Sequence, residues 1–489
     1  MRKICSFILA ICLMAMVLCV NAFAAEAPAE GIVLRVSGET GSGEIVFYDD
    51  YEDHTAGWEA AIDLARNSSE MKAKGFKRVV VDFYADWNAG DANGVFGSSS
   101  GDGFQYSTIY VPDDVRITLN LNGHTIDRGL VEWEYDGEVM YIDTDADVVI
   151  NDGTITRGWS CNCVGGIHIN VDANVVLNNV NVVGNCVEDD DGAGIAVYDG
   201  ATLTMNGGSV SNNTSYGAYL FVYGGGVYVE DASAFFTDVT FENNQGLGLS
   251  THGAAVYVDD GTLVMDDCQV IGNGWQSATT QNIGACTIID ISNGSNVTMI
   301  GTDFLANGYA QEAYISLNTE RYTSVIRNVA SSLTMEACTF SDNKQVYLID
   351  AEAAMLTAVN SDFTGNDSYA FYGNCANVSN NTFTNCRFSY NKPTLNLDNT
   401  FDFTFYFNTN HANLTFIDCD SGEATFNDAR RATFVDSDVN TEYPVGSIFG
   451  GDSVAMVLAM AALLISLAAL GVTIASNKKN VATTSEGEA

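Results

Sequence analysis

The chain predicts an all-β fold, a single-stranded parallel β-helix, and two observations predict it. The first is a recurring phrase: an apolar residue, Thr, another apolar residue, two polar residues, a small residue, any residue, Phe or Val, two more and then Asn. It stands at 203–213, 263–273, 297–307, 333–343 and 356–366, with degenerate copies at 175–185, 234–244 and 381–391. Its closing Asn falls at 185, 213, 244, 273, 307, 343, 366 and 391, so the period wanders between 23 and 36 residues. Such a period fits stacked coils that share short strands and turns while the loops between them vary in length.

The second observation is the strand pattern within a period. Leu263 and Met265 face one side of a strand, Cys268 and Val270 one side of the next, and the odd step between them requires a turn. A third strand precedes each copy, as in Gly226-Val-Tyr-Val229, Ala255-Val-Tyr-Val258 and Ile288-Ile-Asp-Ile291, each followed by an Asp, Asn or Gly turn. Three short strands per coil then pair with the coils above and below at roughly 4.8 Å. A β-sandwich also spaces its strands regularly, but it does not return the same chemical type to the same place.

Two columns sharpen the expectation. Cys268, Thr302, Cys338, Ser361, Cys386 and Cys419 form a line of small, buriable side chains. The Asn residues form another, in which each amide bonds its stacked neighbour and the turn backbone.

Taken in order, Arg2 and Lys3 precede an apolar run and Ala22-Phe-Ala24 fits a small-x-small cleavage site, so residues 1–24 read as a secretory leader. Residues 25–114 differ in character. Trp58, Ala61, Ile62, Ala65 and Met71 fall at helical spacing within 55–74, and 76–84 is strand-like. An amphipathic helix here is expected to cap the open end of the stack, whose unpaired edge otherwise invites other chains. The β-helix itself is expected over 115–446, followed by a linker at 447–453.

Residues 454–475 carry no charge across 22 positions. As a helix of about 33 Å this segment crosses a bilayer. Lys478 and Lys479 follow at once, which holds the tail 476–489 in the cytoplasm and the β-helix outside. The chain therefore reads as a single-pass surface protein.

The segment Ile117-Thr-Leu-Asn-Leu-Asn-Gly-His-Thr-Ile126 resembles the first coil of bacterial right-handed β-helix proteins of the pectate-lyase-like superfamily. Later coils resemble the Pmp-type repeat of polymorphic outer-membrane proteins. Its paired signals stand here as Gly224-Gly-Gly-Val227 and Gly253-Ala-Ala-Val256, and as Phe241, Phe304, Phe340, Phe363 and Phe388, each three residues before Asn. The resemblance covers roughly 115–440 and implies a right-handed fold. It departs from the Pmp proteins at the C-terminus, where they carry a barrel and this chain has one apolar helix.

The formal charge is −42, and loss of Arg2 and Lys3 takes it to about −44. That excludes nucleic acid as a partner on electrostatic grounds. Acidic clusters suggest calcium, which prefers grouped oxygen ligands. The candidates are Glu188, Asp189 and Asp191 in a loop, and Asp143, Asp145 and Asp147, which share one face if that segment is a strand. Loss of the leader leaves nine of the twelve cysteines, an odd number. Buried thiols are expected, because Cys161 and Cys163 lack a second pair with zinc spacing.

Three functional readings stay open. The superfamily resemblance implies polysaccharide-cleaving enzymes, and the best local assembly for that chemistry is Arg157, His168, Glu188, Asp189 and Asp191 on neighbouring coils. The polygalacturonase motifs, apart from one Asp-Asp pair, are missing. The preferred expectation is an adhesin or recognition protein that binds glycan or protein through aromatic residues on loops or the outer face. Trp133, Trp159, Tyr219, Trp275 and Tyr309 lead that set, with Tyr135, Tyr216, Tyr223 and Tyr372 beside them. A passive surface structure is the third possibility.

Overall fold

The computed structural model describes residues 34–40, 45–51, 53–67, 76–88, 109–130, 137–161, 164–188, 190–217, 221–247, 250–274, 286–308, 324–344, 347–373, 379–389, 391, 405–407, 412–420 and 432–437. The expected leader, linker, membrane helix and tail lie outside them. Among the described residues no helix is long and apolar enough to cross a membrane.

Successive coils stack as parallel strands. One row runs from Phe76–Phe83 through Arg116–Asn120, Asp147–Thr156, Asn174–Val183 and Thr202–Ser211 to Ser233–Thr237 and Thr262–Asp266. It continues through Asn296–Ile300, Ser332–Glu336, Met355–Val359, Ser379–Thr384 and Ala412–Ile417 to Ala432–Val435. The register places Leu263, Val297, Leu333 and Leu356 directly over one another, so the recurring phrase is one position of the coil repeated. In the second row Phe304, Phe340, Phe363 and Phe388 are in register, and their rings stack at 4.4, 4.8 and 5.0 Å. The third row, eleven strands among the described residues, runs from Ile109–Val111 to Phe405–Phe407. Inward side chains of all three rows merge in one continuous apolar core.

The Asn column forms as expected. From Asn185 to Asn366 each Nδ2 donates to Oδ1 of the next Asn, at 2.9–3.2 Å, ending on Asn391. The backbone N–H of each donates to the same oxygen. Both donors of the inward turn are thereby satisfied without water. A Gly beside the ladder leaves it room: a Cβ on Gly226 meets Ala255 O at 2.5 Å and Asn244 Cγ at 3.2 Å. That is a physical reason for the Gly-Gly signal read from the sequence.

The small-residue column also forms. Cys268, Thr302, Cys338 and Ser361 donate to carbonyl oxygens at turns between the first and second rows. The described cysteines carry no disulfide, and all but Cys161 are buried. Burial pushes the Cys338 thiol up to about 12. Because Thr302 and Ser361 already fill equivalent positions, Cys338→Ser is expected to shift stability by under about 1 kcal/mol, read as a urea midpoint. A larger loss would show that the thiol's packing, not its small volume, is what the position needs.

Just before each small residue the backbone turns left-handed, at Asp238, Asp267, Ala337, Asn360, Asn385 and Asp418. A second left-handed column, after the third row, holds Asp145, Asp172, Asp199, Asp231, Asp260 and Asn293. Asp and Asn tolerate this conformation better than other non-Gly residues. Much of the acidity is therefore turn chemistry.

Four sequence expectations need correction. The stack begins a coil earlier than residue 115, because Phe76–Phe83 and Trp87–Asn88 pair in parallel with Arg116–Asn120 and Thr125–Asp127. The helix is shorter than 55–74: it spans His54–Arg66, opens on an Asp53 side-chain bond to the Ala56 N–H, and buries Trp58, Ala61 and Leu64 in the core. Asp143, Asp145 and Asp147 do not share a strand face, since 143–146 is a turn with Asp145 left-handed. Asp143 accepts from Tyr110, and Asp147 pairs with Arg78 at 2.5 Å. Finally, coils between 159 and 252 carry extra short strands after the Asn, such as Cys186–Glu188 and Ser250–His252.

Before the first coil, Leu34–Thr40 pairs antiparallel with both Ile45–Tyr51 and Phe76–Phe83. Parallel stacking therefore gives way to an antiparallel hairpin on that edge.

Candidate functional site

The third row builds the candidate site. In the first of its strands the flanking residues, Ile109 and Val111, face the core, so the middle residue points away from it. Along the row that outward position is partly exposed at Tyr110, Tyr141, His168 and Arg327, and buried under neighbouring groups at Ala196, Tyr228, Tyr257, Asp290 and Asp350. Register aligns these middle residues as Tyr110, Tyr141, His168, Ala196, Tyr228, Tyr257, Asp290, Arg327 and Asp350. The first part of this column is aromatic and the second is charged.

Aromatic contact is unbroken from Tyr110 to Tyr257. Centroids lie 5.8 Å apart for Tyr110 and Tyr141, and 4.5 Å for Tyr141 and His168. Ala196 interrupts the column, and Tyr198, two residues on, fills the gap at 5.0 Å from His168 and 5.7 Å from Tyr228. Tyr228 and Tyr257 then stack at 5.4 Å, with Tyr223 against Tyr257 at 4.9 Å. With Val164 and Ala196 these rings form an apolar cluster separate from the interior core.

Carboxylates line the same rings. Asp143 accepts from Tyr110 Oη at 2.7 Å and from Asn170 at 3.3 Å. Burial works to raise its pKa, but the bonds from Tyr110, Thr144 and Asn170 outweigh burial and hold it below the usual range. Buried Glu138 puts Oε2 3.2 Å from His168 Nδ1. Asp191, half-buried, accepts from the Tyr223 N–H at 3.2 Å. Burial first, and the neighbouring Asp190 second, push the Asp191 carboxyl up to about 7. Asp190 is raised by burial too, while His168 draws it back down. Two adjacent carboxyls, one of them protonated near neutrality, are equipped to hold or move a proton.

Four of the five residues expected to converge are described, and each has its own partners. Arg157 is half-exposed and forks onto Asp127, with Nε 2.6 Å from Oδ1. Glu188 is met by the Cys161 thiol at 3.8 Å. His168 and Asp191 both border the aromatic column, linked through Asp190. Asp189 lies outside the described residues, as do Trp133, Tyr219, Trp275 and Tyr309. Trp159 is described: it sits in the strand Trp159–Ser160, half-buried, in register with Cys186. Among the described residues no three His, Cys, Asp or Glu side chains are grouped to hold a metal ion.

Several residues of this face carried no signal in the sequence reading. Glu138 precedes its strand and belongs to no repeat. Tyr228, Tyr257 and Asp290 stood inside runs read as apolar or alternating, and the alternation within their short strands was the signal that marked them as pointing away from the core.

The stacked parallel rows define the class of protein as a right-handed parallel β-helix. Residues 220–377 match the family model described as right handed beta helix region. No curated protein and no solved structure matches the chain. The matched region holds Tyr223, Tyr228, Tyr257 and Asp290, and so contains the junction of the aromatic and charged halves of the face.

Proposed function

We propose that this chain is a cell-surface recognition protein, an adhesin in the broad sense, that binds an extended glycan or a protein segment along the third-row face. The observation that carries this reading is the contiguous line of rings from Tyr110 to Tyr257 flanked by Asp143, Glu138, Asp190 and Asp191. Flat rings suit sugar faces and apolar side chains, and carboxylates accept from hydroxyls. The leader at 1–24 would export the chain and the apolar segment 454–475 would hold it in the membrane with the β-helix outside. In the same reading the helix His54–Arg66 caps the stack, the later coils are Pmp-type repeats, and Trp133, Trp159, Tyr219, Trp275 and Tyr309 would add to ligand binding.

The test is saturable binding of the full chain to an array of neutral and acidic polysaccharides. Tyr141→Ala and Tyr198→Ala are each expected to weaken a bound ligand about tenfold, the scale of one lost ring contact, with little change in unfolding midpoint. Unchanged affinity in both variants would remove this face from the reading.

A second reading has one observation in its favour. Asp191, raised to about 7 beside Asp190, has the protonation a glycosidic general acid needs. Release of reducing or unsaturated ends by the wild type, lost in Asp191→Asn, would establish that reading over simple binding.

A further inference from the structure

At the charged half of the face, both ring nitrogens of His252 are engaged. Nδ1 lies 2.8 Å from Asp290 Oδ2, and Nε2 lies 3.3 Å from Ser250 Oγ. Ser250 and His252 share the strand Ser250–His252 and, two residues apart, lie on one side of it, Ser250 buried and His252 partly exposed. Asp290 comes from the strand Thr287–Ser292, one coil further on.

The surroundings fix this order. Tyr223 stacks on the imidazole at 5.1 Å, with Phe221 at 5.9 Å. Asp290 is fully buried. Thr287 Oγ1 donates to its Oδ2 at 3.0 Å, and Arg327 Nη1 to its Oδ1 at 3.3 Å. Burial works to raise the Asp290 pKa, but His252, Arg327 and Thr287 outweigh it and hold the group ionised. An ionised carboxylate accepts a hydrogen bond from the Nδ1–H, which leaves the Nε2 lone pair facing the Ser250 hydroxyl. A network that merely satisfied Asp290 would need Arg327 and Thr287. It would not need an imidazole whose far nitrogen meets a hydroxyl.

We infer that Ser250, His252 and Asp290 form an acyl-transfer site that hydrolyses carboxylic esters. Ser250 Oγ bonds to the ester carbonyl carbon while its proton passes to His252 Nε2. The carbon–oxygen bond to the alcohol then breaks, and Nε2 returns the proton to the departing alcohol oxygen. Water next gives a proton to Nε2 as its oxygen bonds to the acyl carbon. The bond to Oγ breaks, Oγ recovers the proton, and a carboxylic acid leaves. Water is the only co-reactant consumed.

The geometry also sets the class of substrate. Arg327 shares Asp290 with His252, so the carboxylate supports the imidazolium less than an unshared one does, which favours esters over amides. Phe221 and Tyr223 crowd the imidazole, which suits a small acyl group. Tyr257, in register with Asp290, brings the aromatic column up to the site. The site does not depend on the recognition reading, because synthetic esters probe it without any glycan.

The experiment treats the full chain with a fluorophosphonate, maps the adduct by peptide mass spectrometry, and follows turnover of p-nitrophenyl acetate. The expected result is an adduct on Ser250, and turnover that falls at least about a hundredfold in Ser250→Ala and in His252→Gln. Asp290→Asn, nearly isosteric, is expected to fall by a similar factor. Adduct mapping uses only the wild type, so it decides the matter even if a variant fails to fold. Absence of an adduct at Ser250, or undiminished turnover in a folded Ser250→Ala, overturns the assignment.

Discussion

Asn273→Ala is expected to destabilise the stack by about 3–5 kcal/mol, a large effect for one surface-distant amide. Asn273 is fully buried. Its Nδ2 donates to Phe241 O at 2.8 Å and to Asn307 Oδ1 at 3.2 Å. Its Oδ1 accepts from Asn244 Nδ2 at 3.0 Å and from the Asn244 N–H at 2.9 Å. Alanine removes the acceptor of both Asn244 donors and one donor from Phe241 O, while Asn307 Oδ1 keeps the backbone N–H of residue 273 at 3.0 Å. Each buried orphan costs about 1–3 kcal/mol before relaxation. Urea unfolding checks this, read as a midpoint because a coil stack need not unfold in one step. A second, earlier transition in the variant would locate the weakened coil. A midpoint change equivalent to under about 1 kcal/mol would mean that water replaces the ladder and that the column is not a dry structural element.

Asp191→Asn is expected to stabilise the protein at pH 8 and to change little at pH 4. The folded carboxyl titrates at about 7. Its unfolded counterpart titrates near 3.9. Between these values the folded chain holds a proton that the unfolded chain has released, so stability falls as pH rises from about 4 to about 7 and is level above that. Burial, then Asp190, then Glu230 drive the rise, against the Tyr223 N–H. Three units correspond to about 4 kcal/mol, and partial solvent access trims that to about 2–3 kcal/mol. Asparagine mimics the protonated acid and removes the loss. Urea midpoints of both proteins at pH 4, 6 and 8 test it, and parallel profiles across that range would show that Asp191 is solvated and ordinary.

The interior was legible because coil stacking repeats an environment and so repeats a residue type. Asn185 through Asn391 and the column from Cys268 to Cys419 appear in the sequence as recurrences, and each recurrence proved to be a physical column. The outer face was not legible for the opposite reason. Tyr recurs there at 110, 141, 228 and 257, but His168, Ala196, Asp290 and Arg327 occupy the same register position and break the recurrence. Loop length hid more. Ser250 and Asp290 share no spacing rule, since the chain between them includes an insert of a length no other coil repeats. The first coil was missed because Phe76–Phe83 has antiparallel partners on one side and so departs from the repeat pattern. Part of the acidity is turn chemistry: Asp145, Asp172, Asp199, Asp231 and Asp260 fall at one left-handed turn repeated from coil to coil.

The amide ladder also has a polarity. From Asn185 to Asn366 every Asn directs one amide N–H to the carboxamide oxygen of the next, C-terminal coil, seven links in the same sense. Aligned amides polarise one another, so each link strengthens with the length of the file it joins. Growth by duplication is then self-rewarding. A copied coil inserted in phase continues the file at both of its faces, whereas a coil in the reverse sense would set carbonyl against carbonyl. The chain can thus lengthen or shorten over evolutionary time by whole coils, carrying its outer face along, and the loops between Asn residues are free to change without touching what holds the stack together.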